Sequence, residues 1–180
     1  DKGVHAMKQQ IAVFDYAQHI LQALKTGVLL TVKAGETVNT MTIGWGTLGI
    51  EWGKPIFTAF VRESRYTKEL LDQNPEFTVN IPWEKPVTSI LGFCGSRSGR
   101  DTDKIKALNL TLQAPQVVSV PAIEELPLTL ECKVLYRRKQ DLSAIPGEIQ
   151  EKFYPQTAGA AGQDPHTVYF GEIVAAYLLS

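Results

Sequence analysis

The segment with the densest polar chemistry is 62–67, Arg-Glu-Ser-Arg-Tyr-Thr. It lies where an expected strand ends and a short helix begins, and a helix N-terminus offers free N–H groups and the positive end of a dipole. Arginine side chains match phosphate oxygens in bidentate fashion. The segment therefore indicates a phosphate site. The plainer alternative stays open, in which Ser64 or Thr67 caps the helix and the arginines pair with Glu63 and Glu69.

A second cationic turn occupies residues 96–104. It combines a Gly/Ser turn and two arginines with a short helix, which we expect Asp101 to cap and which carries Lys104 in its first turn. A solvated loop would explain the turn equally well. Two such turns in a chain of net charge −1 nevertheless favour a phosphate-bearing ligand.

Residues 44–49 fit the pattern G-x-G-x-x-G. A dinucleotide site needs that pattern between a strand and a helix, so that the helix N-terminus faces the pyrophosphate. The residues that follow, Ile-Glu-Trp-Gly-Lys-Pro over 50–55, do not form a helix. This excludes the dinucleotide fold. The glycines indicate either a bulged hairpin turn or a bare backbone that a flat ring approaches closely.

We expect neither a metal site nor a catalytic triad in this chain. Its three histidines, His5, His19 and His166, are scattered, and no carboxylate pair has a spacing typical of acid–base work. Cys94 and Cys132 match no zinc spacing and cannot build a disulfide framework. We expect Cys132 to be a small buried hydrophobe. His166 directly precedes a strand, which is compatible with a structural or a catalytic role.

The bulk composition indicates an ordinary soluble protein with one core. The chain has 180 residues, of which 44% are hydrophobic and 21% charged. We expect one domain over 7–180, with 1–6 as an expression remnant or disordered tail. The near-neutral charge argues against nucleic acid as a partner. No apolar stretch could span a membrane and no signal peptide is evident, so we expect a cytoplasmic location.

The elements expected from periodicity are mostly short strands. Strands are expected over 28–32, 37–43, 56–61, 77–81, 128–138 and 167–179, and helices over 15–25, 67–73, 87–93 and 102–108. Many strands with brief helical connections predict an antiparallel barrel rather than a layered α/β sheet. An excursion over 142–162 precedes the last strand and ends in a flexible Ala/Gly loop over 158–162. Its expected short helix is compatible with a lid or a surface decoration.

Four segments resemble the flavin reductase-like family, a branch of the FMN-binding split-barrel proteins. In order they are 39–45 (Asn-Thr-Met-Thr-Ile-Gly-Trp), 61–67 with 77–82, 98–104, and 164–166 (Asp-Pro-His) with 169–173. The resemblance covers nearly the whole chain. It implies a mainly β fold, an antiparallel Greek-key split β-barrel with a few short helices.

The resemblance also implies a site for non-covalently bound FMN. It assigns Asn39, Thr40, Met41, Thr42 and Trp45 to the isoalloxazine ring and places Asn80 at the inner end of the next strand. The phosphate would be held by Arg62, Ser64, Arg65 and Thr67, with Ser98, Gly99 and Lys104 closing that side. His166 would lie near the ring and the incoming hydride donor, as the catalytic residue.

The activity implied is that of a flavin reductase, in which NADH or NADPH reduces the flavin and electrons pass to an unknown acceptor. A homodimer with the flavin near the subunit interface is implied as well. Two alternatives stay open, a flavoredoxin-like carrier reduced by a redox protein and a non-catalytic ligand-binding barrel. The bulky Trp45 and the excursion over 142–162 depart from the simplest family pattern. Both departures affect the expected identity of the electron donor more than the expected binding of flavin.

Overall fold

One long antiparallel sheet dominates the fold. The computed structural model describes residues 5–157 and 162–180, and each strand pair in these ranges is antiparallel. The strands are β1 Lys8–Gln10, β2 Val28–Ala34, β3 Thr37–Ile43, β4 Gly46–Glu51, β5 Lys54–Arg62, β6 Glu76–Ile81, β7 Leu112–Gln113, β8 Ala122–Ile123, β9 Leu128–Lys139 and β10 His166–Leu179. The mainly β, antiparallel architecture predicted from the sequence is confirmed.

The order of the strands forces this sheet to curl. Neighbours run β3-β2-β6-β9-β10-β5-β4, with β1 paired to β10 and with β7 and β8 paired separately. The two ends of this path, β3 and β4, are consecutive in the chain and joined only by Gly44 and Trp45. Ile43 and Gly46 can therefore be at most about 11 Å apart. The sheet closes into a barrel that is open along one seam, between β3 and β4.

Short helices fill the connections. They are a 3₁₀ turn at Val13–Tyr16, α1 Ala17–Leu24, α2 Tyr66–Gln73, α3 Thr88–Ser96, α4 Lys104–Ala107, a 3₁₀ turn at Leu142–Ala144, and α5 Gly147–Phe153. The helix expected over 15–25 thus begins as a 3₁₀ turn. Asp101 was wrong as a cap, because α4 begins later and the Asp103 carboxylate accepts from the Lys106 N–H at 3.1 Å.

The glycine-rich stretch after β3 forms a strand, and the bulged turn, one of the two alternatives left open by the sequence, is not found at this position. Gly46–Glu51 forms β4 and pairs with β5, and the reversal comes at Trp52 and Gly53, which have positive φ angles of 53° and 67°. Gly46 is required by packing, because a Cβ there would lie 2.7 Å from Cζ of Phe57. The short β1 was not expected either, since three residues are too few for a periodic signal.

The barrel interior is apolar, and part of its outer face is covered. Alternate residues of β2 show the pattern: Leu30 lies in the main core, while Leu29 packs outward against Leu91 and Cys94 of α3. Cys132 is fully buried in the main core, as predicted, and burial raises the pKa of its thiol. The segment between β6 and β9 therefore acts as a second layer over one side of the barrel.

A buried carboxylate ties that layer to the sheet. Glu131 of β9 is fully buried on the outer face of the sheet. It accepts four hydrogen bonds, from the N–H groups of Gln116, Val117 and Val118 and from the Tyr177 hydroxyl, at 2.5–3.0 Å. Four donors offset the cost of burying the charge.

Candidate functional site

Two adjoining cavities open at the barrel seam. The first, here called the seam cavity, has a volume of about 190 Å³ and is lined by residues 41–45 together with Phe60, Arg62, Arg65 and His166. The second, here called the cationic cavity, has a volume of about 130 Å³. Its lining residues are Asn39, Met41, Ser64, Arg65, Tyr66, Thr67, Arg97, Ser98, Gly99, Arg100 and Lys104. Met41 and Arg65 line both, so one elongated ligand could occupy the pair.

The strands of the seam place the side chains of the seam cavity. Phe60 and Arg62 are two residues apart on β5 and share a face of the sheet. His166 lies directly opposite Arg62 in the register between β10 and β5. Trp45 stands at the seam itself, 44% exposed. The cavity therefore has aromatic and aliphatic walls with a few polar groups, as in sites for flat organic ligands.

The start of α2 supplies backbone donors to the cationic cavity. Arg65 occupies the N-cap position with extended backbone, and no side chain caps the helix. Among the described residues, neither the Tyr66 N–H nor the Thr67 N–H has an acceptor. The Arg65 guanidinium has no hydrogen-bonding partner there either. Free N–H groups at a helix start together with a free guanidinium form an anion site.

Lys104 brings a buried positive charge to the same cavity. Its side chain is 3% exposed, and Nζ donates to the carbonyl oxygens of Thr40 and Cys94, both at 2.9 Å. Burial lowers the pKa of this ammonium. No acidic side chain is among the described residues lining the cavity. A buried cation without a counter-ion indicates that an anion completes the site.

The loop before α4 closes the far side of the cationic cavity. The Ser98 hydroxyl accepts from the backbone N–H of Arg100 at 3.2 Å. The Ser98 carbonyl accepts from the backbone N–H groups of Asp101 and Thr102. Gly99 leaves no room for a side chain, since a Cβ there would lie 2.8 Å from Cδ1 of Tyr66 and would collide with Asn39. The Arg100 guanidinium pairs with Glu69 and donates to the Ser64 carbonyl, which ties the loop to α2.

His166 is buried at the wall of the seam cavity. It is 6% exposed, and its Nδ1 lies 2.8 Å from the Tyr154 hydroxyl. Its ring centroid lies 5.3 Å from that of Trp45. Burial, followed by the nearby Arg62 and Arg65, lowers the pKa of His166 to about 4, while Asp164 opposes the shift. The imidazole is therefore neutral at neutral pH.

The excursion before β10 packs directly on the seam cavity. Phe153, the last residue of α5, meets Trp45 edge to face with centroids 5.1 Å apart. Arg62 donates to the carbonyls of Phe153 and Asp164, at 3.0 and 2.8 Å, and its guanidinium lies over the ring of Tyr154. The described part of this segment therefore contacts residues that line the seam cavity, and its role as a lid stays a prediction. Residues 158–161 of its Ala/Gly loop, like residues 1–4, lie outside the described ranges.

Comparison with known proteins identifies the family. Residues 22–180 match the family model described as flavin reductase like domain. The chain belongs to the flavin reductase-like family. An uncharacterised protein of Archaeoglobus fulgidus is 31% identical over 121 residues, which are 67% of this chain and 67% of that protein.

Solved structures agree with this assignment. The flavoredoxin of Methanosarcina acetivorans is 25% identical with a TM-score of 0.61, and the match covers 84% of this chain and 67% of that one. The FMN-binding domain of a flavin reductases-like enzyme from Shewanella baltica has the same fold, with 15% identity and a TM-score of 0.63, over 97% and 78% of the two chains. The split-barrel fold and the family predicted from the sequence are confirmed.

Most residues assigned to the site by the resemblance come together in this flavin reductase-like protein. Met41, Thr42, Trp45, Arg62, Arg65 and His166 line the seam cavity, and Asn39, Ser64, Thr67, Ser98, Gly99 and Lys104 join Met41 and Arg65 in the cationic cavity. Asn39 Nδ2 donates to the Thr67 hydroxyl at 3.0 Å, which links β3 to α2. The Ser64 hydroxyl and N–H both bond to the Asp164 carboxylate.

Asn80 and the Thr40 side chain do not reach either cavity. Both are fully buried on the covered outer face, where the Thr31 hydroxyl donates to Asn80 Oδ1 at 2.5 Å and lies 3.0 Å from the Thr40 hydroxyl. Their hydrogen-bonding capacity is used within this network. Thr40 contributes to the cationic cavity only through its carbonyl, which accepts from Lys104.

Arg62, which the resemblance assigned to the phosphate, lies apart from the cationic cavity. Its guanidinium lines the seam cavity and is held by two carbonyls of the excursion, whereas the cationic cavity lies around Arg65. The two side chains diverge because Arg62 ends β5 and points outward from the sheet, while Arg65 begins α2. Because the two arginines are close in sequence, the resemblance assigned both to the phosphate. The turn between β5 and α2 places their side chains in different surroundings.

The sequence prediction missed Tyr154, which contacts His166, and several lining residues, namely Ile43, Gly44, Phe60, Tyr66, Arg97 and Arg100. Phe60 could have been found, because it alternates with Arg62 on the same strand face. Arg97 and Arg100 lie in the cationic turn already singled out. Tyr154 carried no local signal, since it reaches His166 only through the folded path of the excursion.

Residues 5–157 and 162–180 contain neither a membrane-spanning helix nor a metal-binding cluster. No helix there is long and apolar enough to cross a membrane. These ranges also contain no cluster of three or more His, Cys, Asp or Glu side chains arranged to hold a metal ion.

Proposed function

We propose that this chain binds FMN non-covalently across the two cavities and acts as a flavin-dependent oxidoreductase reduced by NADH or NADPH. The observation that carries the proposal is the buried ammonium of Lys104, which has no acidic partner among the residues lining the cationic cavity. A mononucleotide phosphate supplies the missing negative charge. The flat ring of the same ligand suits the aromatic walls of the adjoining seam cavity.

The residues present fit this ligand. Arg65, Lys104 and the free N–H groups of Tyr66 and Thr67 would hold the phosphate, and the turn at Ser98 and Gly99 would close around it. Residues 41–45, Phe60 and His166 would surround the ring. The Shewanella baltica relative is described as an FMN-binding domain, which supports the choice of this flavin.

When bound, FMN supplies a ring that accepts a hydride or electrons, and the protein's task is to orient that ring and control access to it. Trp45 and Phe153 narrow the mouth of the seam cavity. The neutral imidazole of His166 adds a hydrogen-bonding group without adding charge. Arg62, fixed by two carbonyls, keeps a positive charge beside the cavity.

A flavoredoxin-like carrier is the second candidate function. The similarity to the Methanosarcina flavoredoxin favours it. Electrons would then come from a redox protein. The homodimer and the cytoplasmic location expected from the sequence stay predictions.

The proposed function is tested by the absorbance spectrum of the purified protein with FMN, before and after anaerobic NADH or NADPH. The two visible bands of oxidised flavin should bleach on addition of nicotinamide. Bands that persist with nicotinamide but bleach with a reduced redox protein would indicate the carrier. A protein that neither contains nor takes up FMN would contradict the proposal and leave a non-catalytic barrel.

A further inference from the structure

The excursion places the hydroxyl of Tyr154 within hydrogen-bonding distance of Nδ1 of His166. Tyr154 follows α5 directly and is 4% exposed, and its hydroxyl lies 2.8 Å from Nδ1. The two rings meet edge to face with centroids 5.5 Å apart. The other ring nitrogen, Nε2, has no partner among the described residues. Since each deeply buried side-chain nitrogen and oxygen in those residues has a partner, Nε2 must be reachable from the cavity that His166 lines.

The direction of this hydrogen bond follows from the surroundings of the hydroxyl. Within the described residues, Nδ1 is the sole hydrogen-bonding partner of the Tyr154 oxygen. If Nδ1 carried the proton and donated it, the hydroxyl proton would be left in a buried place without an acceptor. If the hydroxyl donates, both atoms are satisfied. A neutral imidazole that accepts at Nδ1 carries its proton on Nε2.

The tyrosine is itself held firmly in place. Its N–H donates to the Gln150 carbonyl at 2.8 Å, and its carbonyl accepts from the Gln163 side chain at 2.7 Å. The Arg62 guanidinium lies 5.1 Å from the centre of its ring. The backbone N–H of His166 donates to the Gln140 side chain at 2.9 Å, which fixes the histidine as well. The hydroxyl therefore meets Nδ1 in a rigid geometry.

We propose that Tyr154 is a positioning residue, whose hydroxyl keeps the ring proton of His166 on Nε2, so that the imidazole presents an N–H donor to the ligand in the seam cavity. The ligand class it selects is a flat ring with a carbonyl oxygen or a lone-pair nitrogen facing His166. The identity of that ligand as FMN rests on the proposed function. The tautomer itself does not.

The tautomer is tested by a nitrogen NMR spectrum of the histidine rings in the ligand-free protein at neutral pH. His166→Gln identifies the His166 signals among the three histidines. In the unmodified protein we expect a protonated Nε2 and an accepting Nδ1. In Tyr154→Phe the two nitrogens should shift toward each other, because Nδ1 loses its donor and both tautomers become populated. Tyr136→Phe, a change at a 44% exposed tyrosine on β9, should leave the signals unchanged.

A protonated Nδ1 in the unmodified protein, or an unchanged His166 pattern in Tyr154→Phe, would overturn the proposal. The second measurement is a double-mutant cycle on FMN affinity. Tyr154→Phe should weaken binding by about twofold, because about half of the protein would still carry the proton on Nε2. His166→Gln, which removes the imidazole donor, should weaken binding by roughly threefold to tenfold, the value of one hydrogen bond. Their combination should be no weaker than His166→Gln alone, and additive losses would contradict the coupling. If FMN does not bind at all, the proposed function fails while the tautomer measurement still decides this inference.

Discussion

Arg62 and Arg65 stand three residues apart and have different surroundings. Arg62 uses its guanidinium on two backbone carbonyls, while Arg65 is exposed, has no partner among the described residues and lines both cavities. A charge already bound to carbonyls has fewer donors for a ligand than a free one. Loss of Arg65 should therefore weaken the binding of a phosphate group more than loss of Arg62.

Arg65→Ala should weaken FMN binding by about tenfold or more, because one charge-assisted hydrogen bond contributes about 1.5–3 kcal/mol. Binding of riboflavin, which lacks the phosphate, should change little. Fluorescence titrations of both ligands measure the difference. Lys106→Ala removes an exposed cation from α4 without touching the cavity and serves as the control. An equal loss of riboflavin affinity would show that Arg65 does not act through the phosphate.

Gly99→Ala should weaken FMN binding and lower thermal stability, because the new Cβ would collide with Asn39 and lie 2.8 Å from Tyr66. Overpacking of this kind typically costs about 1–3 kcal/mol. The matched control is Gly49→Ala on β4, where a Cβ would meet nothing within 4 Å. Thermal unfolding and FMN titration of both variants provide the measurement. Equal behaviour of the two variants would contradict the close approach at Gly99.

At the scale of elements, the excursion is joined to the barrel by polar contacts to backbone. α5 has no buried residue, and its hold on the site comes through Phe153, Tyr154 and the two carbonyls bonded to Arg62. An element with little buried apolar surface opens locally at low free energy. The attachment of this segment therefore depends strongly on Arg62.

Arg62→Ala should increase hydrogen exchange over residues 147–157 while leaving the β-sheet protected. The two lost hydrogen bonds are contacts to the excursion, and the strand pairing of β5 does not depend on the side chain. Hydrogen exchange read by mass spectrometry measures this, with Arg65→Ala as the matched control. Faster exchange in the control variant as well, or unchanged exchange in Arg62→Ala, would contradict the role given to Arg62.

At the scale of the whole molecule, the buried His166 makes stability depend on pH. Its pKa is lowered to about 4 in the fold, against 6.5 for a free side chain. As the pH falls from about 6.5 toward 4, the unfolded chain takes up this proton and the native protein does not, so stability falls. Over that window the contribution is roughly 3 kcal/mol.

His166→Gln should therefore lose less stability than the unmodified protein between pH 7 and pH 4, because glutamine does not titrate. Urea unfolding of both proteins at several pH values measures the difference in the free energy of unfolding. Carboxylates affect both proteins alike and cancel in the comparison. Parallel curves would show that the imidazole titrates normally in the fold.

The sequence predicted the barrel because its strands alternate clearly and its turns are marked by glycine, proline and asparagine. It predicted Arg65 and Lys104 because the cationic turns are local in sequence. It did not predict the buried surroundings of Asn80, because alternation shows that a strand has two faces but not that the segment between β6 and β9 covers one of them. The partners of Arg62 lie 91 and 102 residues away, beyond any local signal.

The seam between β3 and β4 has a consequence for how fast a ligand is exchanged. The cavity opens where two strands are not paired, so a bound molecule can leave without breaking a single hydrogen bond between strands. The barrier to release is then set by the contacts that the ligand makes with the residues lining the two cavities. Residence time and global stability are decoupled in such a barrel. The lining of the cavities, rather than the pairing of the strands, therefore sets how long a ligand stays bound.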